Sequence, residues 1–309
     1  MFVRQKRYRK RVAELDAARG ALAAQRTEFQ QELAQLRAAL LALPHSLASR
    51  ARIDWLMPLA ESGCSGELCL FVTHATSPAI KLHVIDHVRG LYAAGIAVVL
   101  IINTDVAPER IELPSELRAA LHGCAVRENL GFDFGAWAHL YSLLPVSRIE
   151  RLFLVNDSIV GPLDGAAFSA MIGRIRTHEA DMIGLTQNPY PTWHLQSFFL
   201  VFNRRLVAAP DFADLMRHVV NLPAKETVIN TYEIQLSAYL ARRGFRCEAL
   251  FPNLEPGSPL PDDTYFRWSG MVAIGFPYIK ASILRQVCEQ PQTREVVPLR
   301  YREAARTGQ

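Results

Sequence analysis

The chain lacks any apolar run long enough to cross a bilayer: its longest, Gly90 to Ile102, falls short of the ~20 residues a spanning helix needs and is punctuated by Gly90 and Gly95. No transmembrane helix is expected. No apolar core with a small-residue cleavage site follows the basic N-terminus, so a secretory signal is not expected either. Cysteine is scarce. Cys64, Cys69, Cys124, Cys247 and Cys288 are odd in number and without metal-ligand spacing, and read as reduced thiols of a cytosolic protein. Gly-x-Gly-x-x-Gly and Gly-x-x-x-x-Gly-Lys are both missing, which excludes a Rossmann dehydrogenase and a P-loop enzyme. A nucleotide would have to be held by side chains and a metal.

The net charge of +4 divides unevenly along the 309 residues. Residues 1–43 hold nine Lys or Arg against four Asp or Glu, and the remainder 25 against 26. A near-neutral body argues against a nucleic-acid-binding core, whose footprint is a basic face. In the arm, residues 1–45, the basic cluster Arg4, Lys6, Arg7, Arg9, Lys10, Arg11 precedes Leu15, Leu22, Phe29, Leu36 and Leu43, a seven-residue repeat with Val12, Leu33 and Leu40 on the adjoining row. Arg19 and Arg26 interrupt that row and Gly20 weakens the helix. Three readings stay open: a solvated helix, a coiled-coil homo-oligomer, or a basic end resting on anionic lipid at the inner face of the cell membrane.

From Ala51 the pattern becomes strands alternating with helices. Leu68 to Val72 and Ile96 to Ile102 read as buried strands, Ala79 to Ala94 as the helix between them closed by Gly95, and Ser115 to Leu121 as a short helix before Cys124-Ala125-Val126. A helix to about Leu144, the central strand Leu152 to Val155, a helix from about Ala166 to Ile175 and a strand Met182 to Leu185 follow. This is the signature of an α/β fold with a doubly wound, mostly parallel sheet and right-handed crossovers. Residues 51–290 form that domain. Pro252 to Asp263 reads as a surface loop near the site, Trp268 to Leu284 as a small strand and a helix, and Arg294 to Gln309, within the 291–309 tail, as frayed.

Three strand ends carry polar groups: Thr73-His74, Asn103-Thr104-Asp105 and Asn156-Asp157-Ser158. In a doubly wound sheet they share one edge, so they should converge on one crevice. Asp157, between an amide and a hydroxyl, suits a hard divalent cation that also carries phosphate oxygens; the competing reading is a turn that caps the next helix. Asp105 can likewise be a turn residue before Pro108. Gly131 and Gly135 permit close backbone approach or positive φ, and Trp137 is core or an aromatic stacking platform. His194, Gln196 and Phe198 alternate with Leu195, Ser197 and Phe199, so a strand would set His194 and Gln196 on one face; His194 could touch ligand hydroxyls, ligate a metal, or be satisfied by a carbonyl. Asn230-Thr231-Tyr232-Glu233 opens a helix running to about Arg243. Glu233 there is a candidate general base or one half of a capping box with Asn230.

Thr73-His74, Arg127-x-Asn129-x-Gly131-x-Asp133-Phe134-Gly135-Ala136-Trp137, Asn156-Asp157-Ser158-x-x-Gly161-Pro162, His194 to Phe199 and Tyr232-Glu233, in that order, resemble the rhamnan synthesis protein F family over about Leu68 to Pro252. The resemblance implies a GT-A-like glycosyltransferase with a helical, coiled-coil-like N-terminal arm. It would move a deoxyhexose, L-rhamnose foremost, from a nucleoside-diphosphate sugar to a polysaccharide or lipid-linked glycan acceptor. Asn156-Asp157-Ser158 would stand where such enzymes carry Asp-x-Asp, with one carboxylate instead of two, and Asp157 would hold Mg²⁺ or Mn²⁺. Asp105 would read the nucleoside base and Asp133 ribose or sugar hydroxyls. Thr73, His74, Asn129 and Asn156 would complete the donor site, Arg127 or Lys280 would face the phosphates, and Glu233 with His194 would act on the acceptor. A non-catalytic partner of a glycan assembly complex and a nucleotidyltransferase are the competing functions.

Overall fold

The computed structural model describes residues 15–31, 47–60, 66–258, 260 and 262–307. They fall into two compact units, Met1–His45 and Ser46–Gln309. In the first, residues 15–31 are helical, with Leu15, Leu22 and Phe29 exposed. The basic cluster and the rest of the seven-residue repeat lie outside the described residues. Among the described residues, no helix is long and apolar enough to cross a membrane.

The second unit is built on an eight-stranded sheet. Its strands are β1 (Ile53–Met57), β2 (Gly66–Ala75), β3 (Ala97–Thr104), β4 (Gly123–Glu128), β5 (Ile149–Asn156), β7 (Met182–Gly184), β10 (Phe199–Asn203) and β11 (Cys247–Ala249). Short pairs outside it are β6 (Ile159–Val160) with β12 (Ile279–Lys280), and β8 (Gln187–Asn188) with β9 (His194–Leu195). The sheet order is β1-β4-β3-β2-β5-β10-β7-β11, with β4, β3, β2 and β5 parallel, β10 antiparallel to both neighbours, and β11 parallel to β7. The expected α/β class, with a mostly parallel sheet flanked by helices, is what the chain forms.

Burial alternates along each strand because both faces are covered. Cys69, Phe71, Val98, Leu100, Phe153 and Val155 pack under α1 (Leu82–Ala93) and α3 (Gly165–Thr177); Leu68, Leu70, Val72, Val99, Leu152 and Leu154 pack under α2 (Phe132–Tyr141). Near-continuous apolar runs are what strands buried on both sides require. Trp137, on α2, is fully buried and donates from Nε1 to the Leu70 carbonyl at 3.1 Å, which makes it core. From β2 the chain winds outward through β3 to β4, then returns to β5 on the other side of β2. The topological switch point therefore lies between the carboxyl ends of β2 and β5, where open α/β sheets bind ligands.

Three local expectations are corrected. His194 to Asn203 is not one strand: β9 and β10 are separated by a turn over 196–198, so strict alternation breaks there. The helix holding Glu233 begins earlier, at Lys225, and passes through a π turn, Ile229–Glu233, before α4 (Ile234–Ala241). The final segment is not frayed over its described residues. Pro291–Val296 is helical, and so is Leu299–Thr307, labelled α6, which buries Tyr301 completely. α5 (Ala281–Val287) contacts α6, and Tyr301 with Ala305 packs an otherwise Arg-rich stretch onto the apolar cluster of Trp268, Ile283 and Leu284.

Candidate functional site

At the switch point the Asp157 carboxylate, directly after β5, reaches across to β2. Its Oδ2 accepts from Thr73 Oγ1 at 2.5 Å, from the His74 backbone N–H at 3.2 Å and from Lys81 Nζ at 2.6 Å. Lys81 stands immediately before α1, a helix that starts without a side-chain cap. His83, one turn in, donates from Nε2 to the Asp157 carbonyl at 3.1 Å in the tautomer that pairing requires. Burial alone would raise the Asp157 pKa, but the Lys81 charge and the Lys81 and Thr73 hydrogen bonds outweigh it and hold the carboxyl below its ordinary value. Burial pushes the other way on His83, whose pKa is lowered despite Asp157, so it is neutral at pH 7.

Asn156 orders the turn. Its Oδ1 accepts from the Ser158 N–H at 3.0 Å and hydroxyl at 2.5 Å, and its Nδ2 donates to Asp133 Oδ2 at 2.7 Å. Asp133 lies in the first turn of α2, after Gly131 in the left-handed region at φ 73°. Burial first, then the Asp157 charge, push the Asp133 pKa up to about 7; Asn156 and Lys225 oppose this and Glu233 adds to it. Asp133 thus feels Asp157, Lys225 and Glu233 together, which ties the switch point to the π turn Ile229–Glu233.

Glu233 is half-buried. Its Oε2 accepts from the Ser197 N–H at 3.2 Å and from the Ser197 hydroxyl, while Oε1 lies 3.8 Å from His194 Nε2. Nδ1 of buried His194 is 2.8 Å from the Thr192 carbonyl, so it carries the proton and Nε2 faces the carboxylate. The capping-box alternative for Glu233 is overturned: no side-chain cap forms there, because the π turn carries the carboxylate to Ser197. Tyr232 stacks on Phe134, ring centroids 5.4 Å apart, which sets the Glu233 turn beside the start of α2.

His74 is exposed and pairs with Asn129, whose Nδ2 lies 3.3 Å from His74 Nε2. Thr73, His74, Asn129, Asp133, Asn156 and Asp157 are therefore brought together, with Glu233 and His194 beyond Asp133. Asp105 is exposed at the end of β3, one strand away from β2. Two expectations fail. Arg127 is fully buried and donates to His139 Nδ1, the Glu128, Leu130 and Ala48 carbonyls and Asn221 Oδ1, so no N–H is left for phosphate. Burial lowers its pKa to about 10. Gly131 and Gly135 serve the same knot: a Cβ at either would meet Asn221 Oδ1, at 2.4 and 2.6 Å, so the close approach they permit is to protein. Lys280 is turned onto Asp262 Oδ2 at 2.8 Å, over the Phe198 ring and away from Asp157.

A cleft of about 380 Å³ opens in front of Asp157. Sequence reasoning missed most of its charge. Lys81, Lys225 and Arg285 line it, with His74, His83 and Ser158, and α6 supplies the far wall through Tyr301, Ala304 and Ala305. Lys81-x-His83, at the start of the helix that follows β2, was the available signal, because the residue opening the next helix faces the same edge. Arg285 had none.

The divalent cation fits this arrangement poorly. Every contact to Asp157 Oδ2 is a donor, one of them an ammonium, and among the described residues no three His, Cys, Asp or Glu side chains are placed to hold a metal.

The sequence profile described as "Rhamnan synthesis protein F" matches residues 98–298, which run from β3 through α5. The chain belongs to the rhamnan synthesis protein F family. Among relatives of this family member, the virulence protein VirA of Vibrio anguillarum is 29% identical over 179 residues, 56% of this chain and 55% of that one. The uncharacterized protein y4gN of Sinorhizobium fredii is 29% identical over 171 residues, 52% of this chain and 42% of that one. The chain spans about half the length of the curated relatives it matches.

Proposed function

We propose that this rhamnan synthesis protein F family member is a GT-A-like glycosyltransferase that moves a deoxyhexose, L-rhamnose foremost, from a nucleoside-diphosphate sugar to a polysaccharide or lipid-linked glycan. The observation that carries the reading is the position of Asp133, whose Oδ2 accepts from Asn156 at 2.7 Å beside Asp157 on the donor side, and whose neighbour Phe134 stacks on Tyr232 beside Glu233 on the other. A binding half and a proton-accepting half meet at the switch point. In the reaction, the anomeric carbon–oxygen bond breaks with its electron pair left on the β-phosphate, and the acceptor oxygen bonds to that carbon as its proton passes to a carboxylate. Glu233 fits the last role: Ser197 fixes Oε2, Oε1 remains to take the proton, and His194 lies beside it with Nε2 at 3.8 Å. Asp133 and Asn156 suit sugar hydroxyls, Asn129 and His74 the donor's edge, and Asp105 the base.

The test is a panel of dTDP-, GDP- and UDP-sugars read by thermal shift and by release of nucleoside diphosphate. One donor should raise Tm and turn over. Glu233→Gln should keep the shift and lose turnover by about 10²- to 10⁴-fold. Release of pyrophosphate in place of nucleoside diphosphate would make the protein a nucleotidyltransferase, and binding without turnover a non-catalytic partner.

A further inference from the structure

We infer that Lys81, Lys225 and Arg285 form a fixed cationic clamp that holds and neutralises the donor's diphosphate with no divalent cation. The inference rests on the glycosyltransferase reading and departs from the metal that the Asp157 motif suggests.

Three features of the cleft lead there. Asp157, its sole carboxylate lining group, is already committed to Lys81 at 2.6 Å and to Thr73 and the His74 N–H, so a cation at Oδ2 would have to displace an ammonium. Among the described residues, Lys225 and Arg285 have no ion-pair or hydrogen-bond partner, although both line the same 380 Å³ space. Unpaired cations facing one cavity are free to receive an anion. Finally, the fixed charges balance the proposed cargo. Three cations and one carboxylate leave +2, with His83 held neutral by burial, and the bridging diphosphate of a sugar nucleotide is a dianion.

The parts have distinct chemistry. Arg285, on α5, presents a planar fork that can take two phosphate oxygens at once, whereas Lys81 and Lys225 act as point charges. Charge gathered on the β-phosphate as the glycosidic bond breaks meets groups already in position, which is the electrostatic service a metal gives elsewhere. Asp157 then has a different duty. It holds Lys81 at the cleft wall, as a positioning residue and not as a ligand.

The experiment is calorimetric titration of dTDP, GDP and UDP into the full chain, in EDTA and again with excess Mn²⁺ or Mg²⁺. At least one diphosphate should bind with the same affinity, within about twofold, in both buffers. Lys225→Ala and Arg285→Ala, both at exposed positions, should each weaken binding about ten- to a hundredfold in EDTA. Asp157→Asn, which loosens Lys81, should weaken binding in EDTA by less than Lys81→Ala does and bring no new dependence on metal. Binding that appears only with metal, or that neither Lys225→Ala nor Arg285→Ala weakens, would overturn the clamp and leave the donor reading standing. No binding of any diphosphate in either buffer would overturn both.

Discussion

Two lysine–aspartate pairs flank the β6–β12 ladder, and they differ in what surrounds them. Lys81 with Asp157 and Lys280 with Asp262 are nearly matched in distance, at 2.6 and 2.8 Å, and each aspartate is held below its ordinary pKa, against the effect of burial, by its lysine and by a threonine hydroxyl. The Asp262 pair is closed: Gln196 Nε2 and Thr264 Oγ1 complete the carboxylate, and Lys280 lies over Phe198. The Asp157 pair opens onto a cleft with two further cations and no further carboxylate. The same ion pair is structural in one setting and poised for a ligand in the other, and its neighbours decide which.

The largest effect that would sharpen this contrast is expected from Lys280→Ala. It strands a largely buried carboxylate and should cost ~2–4 kcal/mol of stability, read by chemical denaturation, while diphosphate affinity stays unchanged. Lys81→Ala should invert the pattern. Lys81 is about one-third exposed, so water screens the loss to ~1 kcal/mol, yet diphosphate binding should fall by at least tenfold. Loss of binding in the Lys280 variant would erase the distinction.

A smaller effect separates the carboxylates by pH. Asp157 and Asp262 have depressed folded pKa values, so their contribution is full above the unfolded value of ~3.9 and is lost as pH falls through the folded values. Asp133 has the opposite sign. With its folded pKa raised to about 7, its contribution is complete below the unfolded value and is lost as pH rises through about 7. Asp133→Asn, which can still accept from Asn156, should therefore raise Tm above the parent by a few degrees at pH 8, by less at pH 5, and not at all below the unfolded value. An equal shift at both pH values would remove the ionised carboxyl from the account. The smallest effect is expected at Asp105. Asp105→Asn should move stability by less than ~0.5 kcal/mol, because the residue is exposed, and weaken nucleotide binding only a few-fold.

Much of this was legible in the chain. Buried runs such as Leu68 to Val72 and Ile96 to Ile102 can be little else than strands covered on both faces, and their polar ends had to share an edge once the sheet was parallel. What was hidden came from distant segments. Arg127 reads as a phosphate ligand until Ala48 and Asn221 are found on its guanidinium, and neither announces itself locally. The π turn at Ile229–Glu233 leaves the helical periodicity almost intact while redirecting one carboxylate to Ser197. α6 escaped because Arg300, Arg302 and Arg306 give it the composition of a tail, and only Tyr301 and the small Ala305 pack it onto the apolar cluster.

The most direct measurement is a crystal structure of the full chain soaked with the nucleoside diphosphate that binds best. The phosphates should lie between Lys81, Lys225 and Arg285 in front of Asp157, within hydrogen-bonding distance of all three. Phosphates seated at Asp262 and Lys280 instead, or on any surface remote from the β2–β5 switch point, would contradict the account.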